Sequence, residues 1–147
     1  MTTIAFDGKI LAADSRIGGD YNDDTGAKIQ QVGSAYIGIA GSVSAALLFI
    51  KWFRDQTKPR PEFADDNNDF YCLVIRKEGK KRRKWTASVY DNNMVKMETG
   101  TPAAIGSGSP YAIAAMACGK NAIDAVKIAR QFDPYTGGRI KSINLDP

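Results

Sequence analysis

The chain opens with the stretch TTIAFDGKILAADSR, which covers residues 2–16. Two short apolar segments flank Asp7-Gly8, a dipeptide that strongly favours a two-residue hairpin turn. The sequence therefore predicts a β-hairpin with strands over residues 2–6 and 9–15. A fold that begins with hairpins is expected to be built on largely antiparallel sheet.

Thr2 directly follows Met1, an initiator residue that is routinely trimmed before a small side chain. Trimming would give Thr2 a free α-amine, a group whose ordinary pKa is about 7.7–8.0. A partly neutral amine next to a hydroxyl is a base next to a nucleophile, which is the threonine variant of activated-nucleophile catalysis. Thr2 is therefore a candidate catalytic residue.

The composition is that of one ordinary domain. With 147 residues, of which 44% are hydrophobic, we expect a single domain over residues 1–147. The chain has no histidine, which excludes Ser-His-Asp and Cys-His catalysis and His-ligated zinc. No apolar run is long enough to span a bilayer, and the N-terminus lacks the pattern of a secretory signal. Cys72 and Cys118 match no metal or redox spacing and are expected as thiols in a reducing cytoplasm.

A basic run and a glycine-rich turn suggest binding of nucleic acid and of phosphate, but the rest of the sequence supports neither ligand. The basic run from Lys80 to Lys84 carries much of the net charge of +4 and could bind nucleic acid, but no aromatic stacking pattern flanks it. A solvated hairpin tip is the favoured interpretation of this run. Gly106-Ser107-Gly108 before a helix suggests a phosphate cradle, but no Gly-Lys-Ser/Thr completes a P-loop. We therefore expect neither a nucleic-acid nor a membrane partner.

Periodicity and turn residues predict the remaining strands and the first helix. The predicted strands cover residues 28–32, 35–41, 70–76, 84–90, 94–98 and 138–143. Apolar residues recur at helical spacing from Val43, which predicts a helix over residues 43–56 with Ser42 as its N-cap. Pro59 and Pro61 follow that helix, and residues 58–69 are expected to be a loop.

Capping residues predict two more helices near the end of the chain. Ser109 as N-cap and Pro110 as the first helical residue predict a helix that stops at Gly119. Asn121 with Asp124 predicts a further helix that ends near Phe132. The order of elements indicates an α+β fold with helices on the outer faces of antiparallel sheet.

Four motifs together resemble the proteasome β-subunit and bacterial HslV family of N-terminal nucleophile hydrolases. They are the opening hairpin, the strand end Gly38-Ile39-Ala40-Gly41, the turn IGSGSPYA over residues 105–112, and the element DPYTGG over residues 133–138. In the last of these, Thr136 replaces the serine of the family. The resemblance implies a four-layer αββα sandwich of antiparallel sheets. The first helical layer should be reduced, because residues 58–69 hold two prolines and many Asp and Asn residues.

The resemblance also implies a catalytic site. Thr2 would be the nucleophile and its α-amine the base. Asp14 would hold the Lys28 ammonium beside the Thr2 hydroxyl, where the positive charge favours the alkoxide and lowers the pKa of the amine. The terminal amine itself would be held by Ser107, Asp133 and Thr136.

Substrate binding is implied in the same way. Gly38 would direct its backbone N–H at the developing oxyanion. An extended polypeptide would bind as an added strand beside Ile17-Gly18 and Gly38-Ile39-Ala40. In this register Tyr36 would narrow the specificity pocket.

The family resemblance implies a threonine endopeptidase that cleaves unfolded polypeptides inside the chamber of a homo-oligomeric ring. An AAA+ unfoldase is the implied partner, the cytoplasm (the host cytoplasm for a viral protein) is the implied location, and no metal or organic cofactor is implied. Three alternatives stay open. They are a catalytically inactive proteasome-like assembly scaffold, an N-terminal nucleophile amidase acting on a small molecule, and a basic nucleic-acid binder.

Overall fold

The computed structural model describes residues 2–16, 28–63, 69–77 and 84–146. The strands in these residues are β1 (Ile4–Phe6), β2 (Ile10–Ala13), β3 (Ile29–Val32), β4 (Ala35–Gly41), β5 (Phe70–Lys77), β6 (Trp85–Asp91), β7 (Lys96–Thr99), β8 (Ala103–Ile105) and β9 (Lys141–Asn144). The helices are α1 (Val43–Arg54), α2 (Ser109–Ala117) and α3 (Ala122–Phe132). None of these helices is long and apolar enough to cross a membrane.

The elements stack in four layers. The strands form two antiparallel sheets, with the orders β8-β1-β2-β9 and β3-β4-β5-β6-β7. One buried cluster lies between α1 and the five-stranded sheet, a second between the two sheets, and a third between the four-stranded sheet and the pair α2 and α3. The predicted α+β class and αββα sandwich are therefore confirmed. Among the described residues α1 is the only helix on its side, so the first helical layer is reduced as expected.

The opening hairpin forms one residue beyond the predicted Asp7-Gly8 turn: the Asp7 N–H donates to the Ile10 carbonyl, and Gly8-Lys9 are the two loop residues. One Asp7 carboxylate oxygen accepts hydrogen bonds from the backbone N–H groups of Lys9 and Ile10, each at 2.8 Å. Gly8 adopts a φ of 106°, a left-handed conformation that favours glycine. The other Asp7 oxygen accepts from the Ala122 N–H at 2.8 Å, at the start of α3. A single side chain therefore shapes the hairpin and fastens it to the outer helical layer.

Helix α1 follows its predicted pattern. The Ser42 hydroxyl accepts from the Ala45 N–H at 3.4 Å, which confirms the N-cap. The helix ends at Arg54, two residues before the predicted end, because the carboxylate of Asp55 binds the backbone and hydroxyl of Thr57 instead. Residues 58–63, the described part of the predicted loop, contain no helix.

Other predicted boundaries were also wrong. Ser109 is the first residue of α2, and Gly108 is its N-cap, because the Gly108 carbonyl accepts the first helical hydrogen bond from Ala112 at 3.1 Å. Strand β7 begins at Lys96, not at Met94, since Met94 has a φ of 60° and closes a turn. Strand β9 begins at Lys141, because residues 133–138 form a loop that contacts the end of β2.

Phe49 is the main anchor of the single helix on this face. The side chain is fully buried, and its ring centroid lies 4.9 Å from that of Tyr90 and 6.0 Å from that of Phe70. We expect Phe49→Ala to lower the free energy of unfolding by about 3–5 kcal/mol, because it removes a large buried ring and leaves a cavity.

Urea unfolding of Phe49→Ala tests this expectation. Leu48, next to it on α1, is 53% exposed, so Leu48→Ala should change the free energy of unfolding by less than about 0.5 kcal/mol. Equal effects of the two substitutions would show that α1 does not depend on its inner face.

Candidate active site

Thr2 lies just before β1 and is held through its main chain by the turn before α2. Its carbonyl oxygen accepts from the Gly108 N–H at 3.3 Å and lies 3.5 Å from the Ser107 hydroxyl. A Cβ on Gly106 would lie 2.0 Å from the same carbonyl oxygen, so position 106 tolerates no side chain. The glycine turn predicted from sequence is therefore packed directly onto Thr2.

The Thr2 hydroxyl lies between an ammonium and a carboxylate. Lys28 Nζ donates to Thr2 Oγ1 at 2.5 Å and to Asp14 Oδ1 at 2.8 Å, and Thr2 Oγ1 itself contacts Asp14 Oδ1. The side chain of Asp14 is fully buried and that of Lys28 is 12% exposed. A positive charge in contact with a hydroxyl oxygen stabilises the deprotonated hydroxyl. The site thus holds a hydroxyl in the surroundings of an activated nucleophile.

Backbone N–H groups fix the Asp14 carboxylate. Oδ1 accepts from the Thr3 N–H at 3.0 Å, and Oδ2 accepts from the Gly137 N–H at 2.9 Å and the Arg16 N–H at 3.4 Å. These donors come from the start of β1, the end of β2 and the loop after α3. The carboxylate is therefore held rigidly before it contacts Lys28.

A second cluster of polar groups surrounds Asp133. The Ser107 hydroxyl donates to Asp133 Oδ2 at 2.6 Å, and the Thr136 hydroxyl donates to the same atom at 2.5 Å. Burial alone would raise the pKa of Asp133. The hydrogen bonds from Ser107, Thr136 and the Tyr135 N–H outweigh burial and lower that pKa below its ordinary value.

Thr3 extends this cluster. Its hydroxyl lies 2.7 Å from that of Thr136, and both side chains are buried. Because the Thr136 hydroxyl donates its single hydrogen to Asp133, it must be the acceptor in its hydrogen bond with the Thr3 hydroxyl. The hydrogen bonds therefore run in one direction, from Thr3 through Thr136 to Asp133. A Cβ on Gly108 would lie 1.9 Å from the Thr3 hydroxyl oxygen, so the turn leaves room for this hydroxyl only because residue 108 is glycine.

One loop connects the two clusters. Residues 133–137 supply Asp133 and Thr136 to the second cluster and the Gly137 N–H to Asp14. Arg16 clamps this loop, since its guanidinium donates to the Pro134 carbonyl at 2.7 Å. A Cβ on Gly137 would lie 2.5 Å from that guanidinium. Arg16 and Gly137 both lie in motifs quoted from the sequence, where neither was predicted to have a role.

The structure brings together six of the predicted site residues: Thr2, Asp14, Lys28, Ser107, Asp133 and Thr136. Besides Arg16 and Gly137, Thr3 is a residue that the sequence reasoning missed. Its signal was the Thr-Thr pair, which was used only for the first threonine. Within the described residues, no three His, Cys, Asp or Glu side chains form a group that could hold a metal ion.

Gly38 does not direct its N–H at this site, which corrects the sequence-based assignment. Along β4 the N–H groups alternate between neighbouring strands. The Ile39 N–H donates to Lys28 on the β3 side, and the Ser42 N–H donates to Asp69 on the β5 side. Gly38 therefore points its N–H at β5, opposite Leu73. Its lack of a side chain has another reason, because a Cβ there would lie 2.6 Å from Ile4 in the facing sheet.

The same alternation turns the Gly41 N–H toward the Lys28 side of β4. Gly41 is two residues beyond Ile39, so the two N–H groups point the same way. Lys28 is also the residue whose ammonium contacts the Thr2 hydroxyl. Gly41, which ended the quoted motif, is thus better oriented than Gly38 to donate at the site.

The predicted substrate-binding residues have mixed outcomes. The Tyr36 ring packs edge-on against Trp85 with centroids 5.9 Å apart, and the residue lies about 10 Å along β4 from Ile39. The structure therefore does not bring Tyr36 to Thr2. The Ala40 side chain is buried between the sheets and lines no open surface. Ile17 and Gly18, like Met1 and residues 80–83 of the basic run, lie outside the described residues.

The hydroxyl chain predicts that Thr3 contributes to stability. Thr3→Val keeps the shape of the side chain but leaves Thr136 without its donor, which should lower the free energy of unfolding by about 1–3 kcal/mol. Thr3→Ser keeps the hydroxyl and should lose less than Thr3→Val. Chemical denaturation of both variants tests this, and a larger loss for Thr3→Ser would contradict a stabilising role of the Thr3 hydroxyl.

The lowered pKa of Asp133 predicts a pH dependence of stability. A carboxyl whose pKa is lower in the folded state stabilises the fold above its ordinary pKa of 3.8 and loses this contribution as the pH falls through the folded pKa. Thr136→Val removes one donor to the carboxylate, so it should raise the Asp133 pKa and weaken this dependence. Carboxyl-carbon NMR titration measures the pKa, and Thr57→Val on the surface provides a control. An unchanged Asp133 pKa in Thr136→Val would contradict the assignment.

Comparisons with known proteins agree with this architecture. No protein-family model matches the chain, and no curated protein sequence matches it. Among solved structures, Thiobacillus denitrificans BPH is similar with a TM-score of 0.64 and 22% identity, over 99% of this chain and 98% of that one. BPH in complex with epoxomicin gives a TM-score of 0.63 and 22% identity, over 99% of each chain. Eukaryotic HslV from Trypanosoma brucei gives a TM-score of 0.65 and 18% identity, over 97% of each chain. The chain therefore has the fold of HslV-like and proteasome-like structures, as the resemblance of its motifs predicted.

Proposed function

We propose that this chain is a threonine-type peptidase subunit that uses Thr2 as its nucleophile after removal of Met1. The observation that carries the proposal is the contact of the Thr2 hydroxyl with the Lys28 ammonium, which is itself paired with a buried carboxylate. The Lys28 ammonium favours deprotonation of the hydroxyl, and Asp14 holds that ammonium in place; a purely structural threonine has no need of either.

The proposed reaction has two steps. In the first, Thr2 Oγ1 attacks the peptide carbonyl while the α-amine of Thr2 takes the hydroxyl proton. The C–N bond then breaks, and the α-amine passes this proton to the leaving amine. In the second step, water loses a proton to the amine and attacks the ester, which releases the acid and restores the Thr2 hydroxyl. The Lys28 ammonium stabilises negative charge on Oγ1 throughout.

Gly41 is the proposed donor to the developing oxyanion, in place of Gly38. Its N–H lies on the Lys28 side of β4, and a glycine there leaves the approach to Thr2 open. The conformation also requires glycine, because φ is 96° and a Cβ would lie 2.5 Å from the Asp69 carbonyl oxygen. Gly38 and Ile39 already pair with the β3 segment on that side, so an extended polypeptide would meet β4 at Gly41 and present a carbonyl group to this donor.

The same proposal covers the substrate, the assembly, the partner and the location of the protein. An unfolded polypeptide substrate, a homo-oligomeric ring that encloses Thr2 and an AAA+ unfoldase would suit a peptidase of this fold. Cytoplasmic location is supported by Cys72 and Cys118, which are both free thiols. A non-catalytic scaffold is the competing function, and the state of Met1 distinguishes the two.

The first test is the intact mass of the purified protein, measured together with cleavage of fluorogenic peptides by the same sample. We expect the mass to lack one methionine. We expect Thr2→Ala to lower kcat/KM by more than about 10³-fold, since it removes the nucleophile, and Thr57→Ala to leave it unchanged. Lys28→Met should lower kcat by about 10²–10³-fold, as for other groups that stabilise charge in the transition state.

Epoxomicin provides a second measurement, since BPH has been solved in complex with it. We expect it to inhibit peptide cleavage by the wild-type protein. Retention of Met1 in protein from its native host, with no cleavage of any peptide, would contradict the proposed function and favour the scaffold. Cleavage that survives Thr2→Ala would show that another group is the nucleophile.

A further inference from the structure

A cavity of about 540 Å³ opens beside the nucleophile. Its lining includes Tyr71 of β5, Val89 of β6, Met97 of β7 and Ile105 of β8, together with Gly106 and Ser107 of the turn before α2. This volume is within the range of pockets that bind small molecules or peptide side chains. Every one of its lining residues belongs to the described part of the chain.

The cavity is a gap between the two sheets. Leu73 of β5 and Val89 of β6 pack in the cluster between the sheets, so Tyr71 lies on the same inner face as Leu73. Met97 pairs directly with Val89 and lies on this face too. Yet Tyr71 is 42% exposed and Met97 is 45% exposed, because the four-stranded sheet ends at β8 and does not cover them. The result is an open apolar cleft.

The cleft shares a wall with the catalytic site. Gly106 and Ser107 line it, and both are packed against the Thr2 carbonyl oxygen. A group bound in the cleft is therefore separated from Thr2 by only the thickness of one turn of backbone.

The position of the cleft indicates which part of a bound peptide it would contact. The strand order β3-β4-β5-β6-β7 places the Lys28 side of β4, with the Gly41 N–H, away from β5. The cleft lies on the opposite side, over β5, β6 and β7. A substrate whose acyl part lies on the Lys28 side of Thr2 would have its leaving side on the other side of Thr2, which is the side of the cleft. The turn that holds the Thr2 carbonyl oxygen lies on this side too.

We propose that this cleft binds the residues on the C-terminal side of the scissile bond and selects large apolar side chains there. The inference rests on the proposed peptidase function, because only that function defines a scissile bond. Val89 and Ile105, 7% and 5% exposed, form the apolar floor, and Tyr71 and Met97 form walls that such a side chain would cover. This assigns to Met97 and Tyr71 a role in substrate preference.

Binding of product-like peptides tests the cleft independently of catalysis. Dye-labelled tetrapeptides that differ only in their first residue, Phe or Gly, are titrated into the full-length Thr2→Ala protein and followed by fluorescence anisotropy. We expect the Phe peptide to bind at least about 10-fold more tightly, because burial of an apolar side chain favours binding. Met97→Glu should abolish this preference by placing a charge in the cleft.

Val95→Glu is the matched control. Val95 is 51% exposed, lies two residues from Met97 and does not line the cleft, so this variant should retain the full preference for Phe. Thermal unfolding of both variants checks that they are folded, and Tyr71→Glu provides a second substitution in the cleft. Equal binding of the two peptides by the Thr2→Ala protein, or equal loss in the Met97 and Val95 variants, would overturn the inference.

The remaining outcomes separate the inference from the function. Thr2-dependent cleavage without a preference for Phe on the leaving side would overturn the cleft assignment and leave the peptidase function standing. Peptide binding in the cleft without any cleavage by the wild-type protein would overturn the peptidase function, and the leaving-side assignment with it. A change of oligomeric state in Met97→Glu with no peptide binding would show instead that a second copy covers the cleft.

Discussion

The ion pair between Lys28 and Asp14 is the contact on which the site depends. Removing an ammonium and a carboxylate from water is costly, and the attraction between them offsets this only when further hydrogen bonds satisfy both groups. Here three backbone N–H groups bind Asp14, and the Thr2 hydroxyl binds Lys28. The arrangement requires β1, β2, the start of β3 and the loop after α3 to meet at one point. Loss of either charged partner would leave the other buried and unpaired.

Small residues make this meeting of backbones possible. Gly106 and Gly108 admit the Thr2 carbonyl and the Thr3 hydroxyl, and Gly137 admits the Arg16 guanidinium. In each case a Cβ would lie within 2.5 Å of the neighbouring atom, closer than side-chain carbons approach in folded proteins. The glycine motifs that suggested the fold therefore have a concrete purpose: they let the turn before α2 approach Thr2 and Thr3, and they let the loop after α3 approach Arg16.

Much of the fold and of the catalytic cluster could be predicted from the sequence, because local rules apply there. Asp7-Gly8 fixed the hairpin, and Ser42 and Asn121 capped their helices as expected. Gly38 shows where such rules end. Both Gly38 and Gly41 bracket the end of β4, and only the pairing of Ile39 with Lys28 decides which N–H faces the site. That pairing depends on contacts between distant segments, which no local pattern contains. The same holds for Tyr36, whose partner Trp85 is far away in sequence.

The loop of residues 133–137 couples the two halves of the site. It supplies the Gly137 N–H to Asp14, which holds Lys28 beside the Thr2 hydroxyl, and it supplies Thr136 and Asp133 to the cluster around Ser107. Ser107 in turn contacts the Thr2 carbonyl and lines the apolar cleft. A shift of this loop would therefore disturb the Asp14 carboxylate and the Ser107 turn together. Because one loop positions both, the ammonium beside the Thr2 hydroxyl and the Ser107 wall of the cleft are set by the same backbone.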